Sequence, residues 1–277
     1  MGPGRETGTI EAGLAAFRLC YRDLAGTCST APQMRRRNRI LLFSGLLALA
    51  ASGPSLRLPL IHAAYVRAAG AYTVAERLEQ YGSVARARLA PFFATAKVRY
   101  PPAKLTLAYF KQERRLDLYA SARGGKPAII RSYDSTAASG VLGPKLREGD
   151  LQVPEGFYRI VFLNANSSYH LSLRVNYPNS EDKAWGKKDR RTHLGGDIMI
   201  HGNAVSIGCV AMGDEAAEDL FVLVADTGLS NVDVIMSPVD FRVSALPADF
   251  RPPTAWVGAL YGRLARAVRA LPLPAAR

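Results

Sequence analysis

Apolar positions along this chain follow two different periods. From Leu105 they come in short runs, at 105–110, 116–119, 127–133, 156–163, 170–175, 198–201 and 231–236. Turns such as Arg114-Arg115 and Gly124-Gly125 separate them. Short apolar runs with Gly, Pro and charged punctuation predict strands. Many in series predict a mainly β domain, a sandwich, barrel or mixed sheet.

Helical spacing appears in three other places. After the strand-like run ending at His201, Asp214 is placed to N-cap a helix, and Ala217, Leu220, Phe221 and Val224 form its apolar face. Upstream, Thr73-Val74-Ala75-Glu76 has the form of a capping box. A second helical run is expected from Ser83 to Ala90, ended by Pro91, with Arg77, Arg86 and Arg88 on a solvated face. Near the end, Trp256–Leu271 is again helical in period, with Arg263, Arg266 and Arg269 every third residue, and Pro272 and Pro274 stop it. A surface helix packed on the domain is the expectation; contact with an anionic membrane surface is the alternative.

One segment fits neither pattern. Met34-Arg35-Arg36-Arg37-Asn38-Arg39 precedes an almost wholly apolar stretch from Ile40 to Ala51, and Ala48-Leu49-Ala50 offers small residues for cleavage. A basic n-region before a short h-region predicts an export signal. The run is shorter than the roughly 20 residues that span a bilayer comfortably. Residues 34–55 are therefore read as a signal peptide or an uncleaved membrane anchor, with 1–33 an extension without structure. An ordinary buried helix is the competing reading.

Composition changes this picture little. With 48% hydrophobic residues over 277 positions, the chain can bury a real core. The net charge of +13 suits an anionic partner, whether lipid or an acidic polymer. No nucleic-acid motif of the usual kinds is present, so nucleic acid is not expected. The four histidines, His62, His170, His193 and His201, and the three cysteines, Cys20, Cys28 and Cys209, show no zinc spacing. Neither a metal nor a cofactor is expected. Gly143 and Gly149 make no phosphate loop, because no helix follows them.

The candidate chemistry lies between Gly196 and Asp214. His201 closes a strand, Gly202 turns the chain, and Cys209 returns after a loop of seven residues. A thiol needs a partner to take its proton, because the thiolate is the reactive form. Contact between His201 and Cys209 is geometrically easy over so short a loop. Backbone N–H groups around Gly208 and Cys209 are placed to stabilise an oxyanion. A Cys–His pair of this kind points to acyl transfer through a thioester. The competing reading is an inert buried cysteine. His170 is expected to be packed or exposed, and the basic stretch 187–193 to be a solvated loop or a holder of carboxylates.

Two motifs carry a resemblance. One is Gly143-Pro144-Lys145 with Gly149-Asp150 and Val153-Pro154-Glu155-Gly156-Phe157-Tyr158; the other is His201-Gly202 with Ser206-Ile207-Gly208-Cys209. With Tyr177-Pro178-Asn179 between them, they resemble the signatures of the L,D-transpeptidase catalytic domain, the YkuD family. Within it, the chain is most similar to the branch that includes the periplasmic enzyme releasing Braun's lipoprotein from peptidoglycan. The resemblance implies an L,D-transpeptidase-like, mainly β domain over 104–237, one helix after the catalytic loop, a helical prelude at 56–103 and a C-terminal extension at 238–277. It implies Cys209 as nucleophile, His201 as general base and acid, Gly208 in the oxyanion hole and Ser206 as support for loop or substrate. Arg174, Asn176 and Tyr177 are expected to line the groove.

The chain departs from the common pattern at Ile207, where most members have His, and at Ala211, where most have Arg or Asn. The span from His201 to Cys209 is also shorter. The implied function is an exported cysteine acyltransferase acting on peptidoglycan stem peptides, with an amine as acceptor. A hydrolase at the same site, releasing peptide or a wall-linked lipoprotein, is the alternative. A non-catalytic wall-binding protein is the third reading. The expected location is the periplasm or envelope, with membrane association through the N-terminal segment left open.

Overall fold

The strand runs form a single hydrogen-bonded series in the computed structural model, which describes residues 70–274. Residues 1–33, the leader expected at 34–55, the first part of the expected helical prelude, Cys20, Cys28 and His62 lie outside the described residues. Nine strands are present among those described: β1 Lys104–Phe110, β2 Arg115–Ser121, β3 Ala128–Asp134, β4 Ala137–Ala138, β5 Gly156–Ser167, β6 His170–Val175, β7 Met199–His201, β8 Val210–Ala211 and β9 Val232–Ser237. Their order is β3-β2-β1-β9-β5-β6-β7-β8-β4. Only β1–β9 and β7–β8 are parallel. The mixed sheet is thus the member of the expected mainly β class that forms.

The long strand β5 joins two halves. Its first residues, Gly156–Arg159, pair with β9, and the rest pairs with β6 after a register shift between Ile160 and Phe162. A bulge of this kind bends a strand, so one strand can serve both halves.

Helix α1, Val74–Thr95, opens on the expected capping box: Thr73 Oγ1 accepts from Glu76 N at 3.2 Å, and Glu76 Oε2 accepts from Thr73 N at 2.7 Å. The expected break at Ser83 and stop at Pro91 do not occur; one helix of 22 residues runs through both. Proline removes a single backbone donor here, while Leu89 and Phe93, on either side of it, are buried in the main core. Packing outweighs that local cost. The arginines are not on a solvated face either. Arg86 makes a fork to Asp226 at 2.7 and 2.8 Å, Arg88 reaches Asp219 and Glu218 at 2.8 Å each, and Arg77 donates to Ala165 O. They tie α1 to helix α3, Asp214–Thr227, and to β5.

Helix α2, Ser180–Lys188, replaces part of the expected basic loop. Asn179 caps it and Asp182 returns the bond to Asn179 N at 2.9 Å. Only Gly186 of this helix is buried, so no apolar stripe announces it in the sequence.

The C-terminal helix α4, Val257–Arg269, packs on the domain with Val257, Leu260, Tyr261, Leu264 and Val268 buried. It forms a second core with Ala108, Phe110, Tyr119 and Ile235, on strands β1, β2 and β9. The main core holds α1, α3 and the inward side chains of β5, β6 and β7. No helix among the described residues is long and apolar enough to cross a membrane.

Candidate active site

The short parallel pair β7–β8 brings the histidine and the cysteine together. Ile200 lies opposite Val210 and His201 opposite Ala211. One register step earlier, Met199 faces Cys209, and Met199 N–H donates to Sγ at 3.4 Å. The thiol in turn donates to the Asp197 carbonyl at 3.7 Å.

His201 is 2% exposed, and its ring lies 4.9 Å from that of Tyr169, tilted by 33°. Its Nδ1 sits 2.6 Å from the Gly202 carbonyl. A carbonyl can only accept, so Nδ1 carries the proton and Nε2 is left as a bare acceptor. That is the tautomer a general base needs. No hydrogen bond joins His201 to Cys209, so the direct contact expected from the short loop is not formed. Each group is instead committed to nearby backbone. Ser172, directly opposite His201 on β6, is buried with its hydroxyl unpartnered.

The electrostatics keep both groups neutral. Burial pushes the Cys209 thiol above its ordinary value; the Met199 N–H pulls the other way, the Asp197 charge adds to the rise, and Lys145 opposes it. Burial lowers the His201 pKa, and the Gly202 carbonyl offsets this in part by favouring the charged ring.

A closed chain of hydrogen bonds holds the Gly208-Cys209 turn. Gly208 N–H donates to Ser139 Oγ at 2.6 Å, Ser139 and Ser206 hydroxyls lie 3.0 Å apart, and Ser206 Oγ donates to Cys209 O at 2.6 Å. Ser206 has its proton on Cys209 O, so Ser139 is the donor between the two hydroxyls. Ser206 therefore shapes the loop. The expected oxyanion role of the Gly208 N–H is corrected: that donor is already bonded to Ser139. What Gly208 supplies is backbone freedom, with φ +110°, and room, since a Cβ there would lie 3.4 Å from the Gln152 carbonyl oxygen. Gly202 is needed for space alone, because a Cβ there would sit 2.5 Å from Asp214 Oδ1.

That aspartate is not the N-cap of α3. Gly213 occupies the cap, and Asp214 Oδ1 accepts from Asn203 N at 2.7 Å, fastening the loop to the helix. The first signature motif supports the site from the other side. Lys145, buried, pairs with Asp150 at 2.6 Å, and Asp150 accepts from the Leu146 and Arg147 amides at 2.8 and 2.9 Å.

Of the three residues expected to line the groove, the structure leaves one with an exposed side chain. Arg174 lies opposite Met199 and pairs with Asp197 at 2.7 Å, the two side chains 46% and 77% exposed. Asn176 is turned away: its Oδ1 accepts from Arg159 N at 2.8 Å and bridges to β5. Tyr177 is buried, with its hydroxyl shared between the carbonyls of Lys145 at 3.3 Å and Leu194 at 3.1 Å. Both side chains pin backbone, Tyr177 with its hydroxyl and Asn176 with its carbonyl oxygen. His170 is packed, bonded to Glu218 at 3.0 Å and edge-on to Tyr81. His193 is exposed, and Arg191 is used internally by Asp189 and Leu146 O.

Ser139 and Asp197 were missed by sequence reasoning. Ser139 lies 69 residues from the amide it binds, and Asp197 acts on the thiol through its backbone oxygen, so neither carries a local signal. Ile207, in the position where histidine is common, is 69% exposed; Val141, Leu151 and Val205 are exposed on the surrounding loops. Among the described residues no cluster of His, Cys, Asp and Glu is arranged to hold a metal ion.

The mixed sheet thus sets a free thiol, just before β8, beside the strand that carries a bare imidazole nitrogen. Comparison with known proteins shows what the chain is similar to. Residues 108–239 match the family model of the L,D-transpeptidase catalytic domain, YkuD, as the two motifs indicated. The chain is 38% identical over 140 residues to the putative L,D-transpeptidase YafK of Escherichia coli K12, covering 49% of this chain and 53% of that protein. It thus spans about half the length of the curated relatives it matches. Among solved structures it is similar to the helical cell shape determining protein Pgp2 of Campylobacter jejuni, at 26% identity and a TM-score of 0.42, covering 49% of this chain and 48% of that one. It is also similar to L,D-transpeptidase 1 of Mycobacterium tuberculosis, at 14% identity and a TM-score of 0.28, covering 48% and 61%.

Proposed function

We propose that this chain is an exported cysteine enzyme acting on peptidoglycan stem peptides, and that Cys209 carries the acyl group of an L-centre as a thioester before passing it to an amine. One observation carries the reading. Within the stretch that matches the L,D-transpeptidase family model, the free thiol of Cys209 lies one parallel strand from a histidine whose Nε2 is free to accept a proton.

At rest the thiol proton points at the Asp197 carbonyl. In the proposed reaction the thiol gives up that bond and offers its proton to His201 Nε2. The imidazole takes the proton as sulfur bonds to the carbonyl carbon. The amide C–N bond then breaks, and the leaving amine departs with that proton. An incoming amine attacks the thioester and gives a proton to Nε2, and the departing sulfur recovers it. Arg174 is placed to bind a substrate carboxylate. Its surface pair with Asp197 is the kind worth only about 0–1 kcal/mol, so an incoming carboxylate exchanges with it readily. The basic and then apolar sequence at 34–55 supports a location in the periplasm or envelope, where a wall-linked lipoprotein is one partner whose release this chemistry would allow.

The test is mass analysis of defined muropeptides after incubation with the purified chain, with Cys209→Ala as control. An amine-exchanged product supports transfer. A free released peptide moves the acceptor from amine to water. No product and no acyl adduct on Cys209 overturns the enzyme reading in favour of wall binding.

A further inference from the structure

Helix α4 lies outside residues 108–239, the stretch that matches the family model. It nevertheless reaches the catalytic loop through a chain of buried polar groups. The Tyr261 hydroxyl donates to Glu155 Oε2. The other oxygen of that carboxylate accepts from Gly143 N at 2.9 Å and from Lys111 Nζ at 3.1 Å. Lys111 Nζ also lies 2.7 Å from Gly143 O, 3.0 Å from Val153 O and 3.1 Å from Gln152 Oε1. An ammonium has three protons to donate, and four acceptors surround this one, so its position is fully determined. Gln152 Oε1 accepts in addition from Val141 N at 3.1 Å. The backbone oxygen of the same glutamine faces Gly208, the residue before Cys209, 3.4 Å from where a Cβ on that glycine would stand.

The hydroxyl is not needed to hold the helix in place. The apolar face of α4 does that, with Val257, Leu264 and Val268 fully buried. The Tyr261 ring packs on Phe241 and Phe250. What the hydroxyl does is satisfy a carboxylate oxygen that is cut off from water, Glu155 being 2% exposed.

We propose that Tyr261 is a positioning residue for the Cys209 reaction: its hydroxyl fixes Glu155, and through Glu155 and Lys111 it fixes the 141–153 loop against Gly208. The proposal rests on the reading of Cys209 as nucleophile. It makes the C-terminal extension part of the working enzyme, although Tyr261 touches neither substrate nor sulfur.

The experiment compares Tyr261→Phe with Leu264→Ala in the full chain. The first removes one hydroxyl and keeps the ring packing, so the helix keeps its apolar seat while the thermal midpoint reads the cost of the unsatisfied carboxylate. The second removes buried methyl groups from the same helix face and keeps the hydroxyl. Amide exchange is followed on peptides covering 141–153 and 203–209, together with kcat, KM and the thermal midpoint. For Tyr261→Phe, exchange in both segments is expected to quicken about tenfold and kcat to fall about tenfold with KM nearly unchanged, as for a misplaced catalytic loop. Leu264→Ala is expected to lower the midpoint while leaving kcat and both segments as in the wild type. Wild-type exchange and kcat in Tyr261→Phe, or the same pattern in Leu264→Ala, overturns the proposal. If the wild-type chain turns over no muropeptide, the exchange arm still decides the coupling, and the failure belongs to the proposed function.

Discussion

Two polar pairs flank the contact between Gln152 and Gly208, and they are built in opposite ways. On one side, Lys111 and Glu155 are bonded to each other and to every neighbour within reach. On the other, His201 and Cys209 are each bonded to nearby backbone and not to one another. Burial acts on both pairs: it lowers the Lys111 pKa, with Glu155 opposing the shift, and it lowers His201 and raises Cys209. The first pair answers burial with mutual neutralisation and becomes a rigid frame. The second answers it by staying uncharged. A thiol and an imidazole locked into a resting ion pair would have less freedom to meet a carbonyl group. Full satisfaction of polar groups makes a support, and incomplete satisfaction leaves something to react.

The sharpest way to separate the two sides is to remove the sulfur. Cys209→Ala should abolish turnover, a loss of at least about 10³-fold if a covalent intermediate is used, with the urea unfolding midpoint nearly unchanged. Unaltered turnover would sink the role of Cys209. Lys111→Met should do the reverse in kind. It leaves Glu155 buried without its counter-charge, and the loss of stability in urea titration is expected at about 3–5 kcal/mol, the usual cost of breaking a buried pair. A change below about 1 kcal/mol would mean that the frame is not held by this pair.

Ser139→Ala probes the border between them. It removes the group that binds both Gly208 N and Ser206 Oγ. Each of the two hydrogen bonds lost is worth about 1 kcal/mol, so stability should fall by about 2 kcal/mol and turnover about tenfold. A rise in turnover would instead show that the freed Gly208 amide serves the oxyanion.

The smallest effect expected is on pH dependence. His201 has its folded pKa below the ordinary 6.5. Under that pH the unfolded chain takes up a proton that the folded chain refuses, so stability falls as pH drops through 6.5. Cys209 is raised above 9.0. Beyond that pH the unfolded chain loses its proton first, so stability falls again as pH rises. Each slope is at most about 1.4 kcal/mol per pH unit, and denaturation at a series of pH values should show a plateau between the two. Alkylation of Cys209 by iodoacetamide should stay slow until the pH passes the ordinary thiol range. Fast alkylation at pH 7 would mean that an ion pair forms at rest.

The strand positions were legible because short apolar runs bounded by turn residues are local signals: the runs at 105–110 and 170–175 correspond to β1 and β6 almost residue for residue. The capping box at Thr73 was legible for the same reason. Helix α2 was not, because a helix that buries only a glycine leaves no apolar stripe. Pro91 misled because its local cost was overruled by Leu89 and Phe93 in the core.

The same division holds at the site. The sequence by itself determined that a histidine and a cysteine flank a seven-residue, glycine-lined loop, and that the two motifs come in the order of the YkuD domain. Those facts depend on residue type and spacing, which the chain carries locally. Only the tertiary structure decided which nitrogen of His201 is bare, that Gly208 N–H is already taken, that Tyr177 and Asn176 are pins while Arg174 stays open, and that Tyr261 reaches the loop from 106 residues away through Glu155. Hydrogen bonds and burial link residues that are distant in the chain, and no local pattern encodes which partner each polar atom will find once the core has closed.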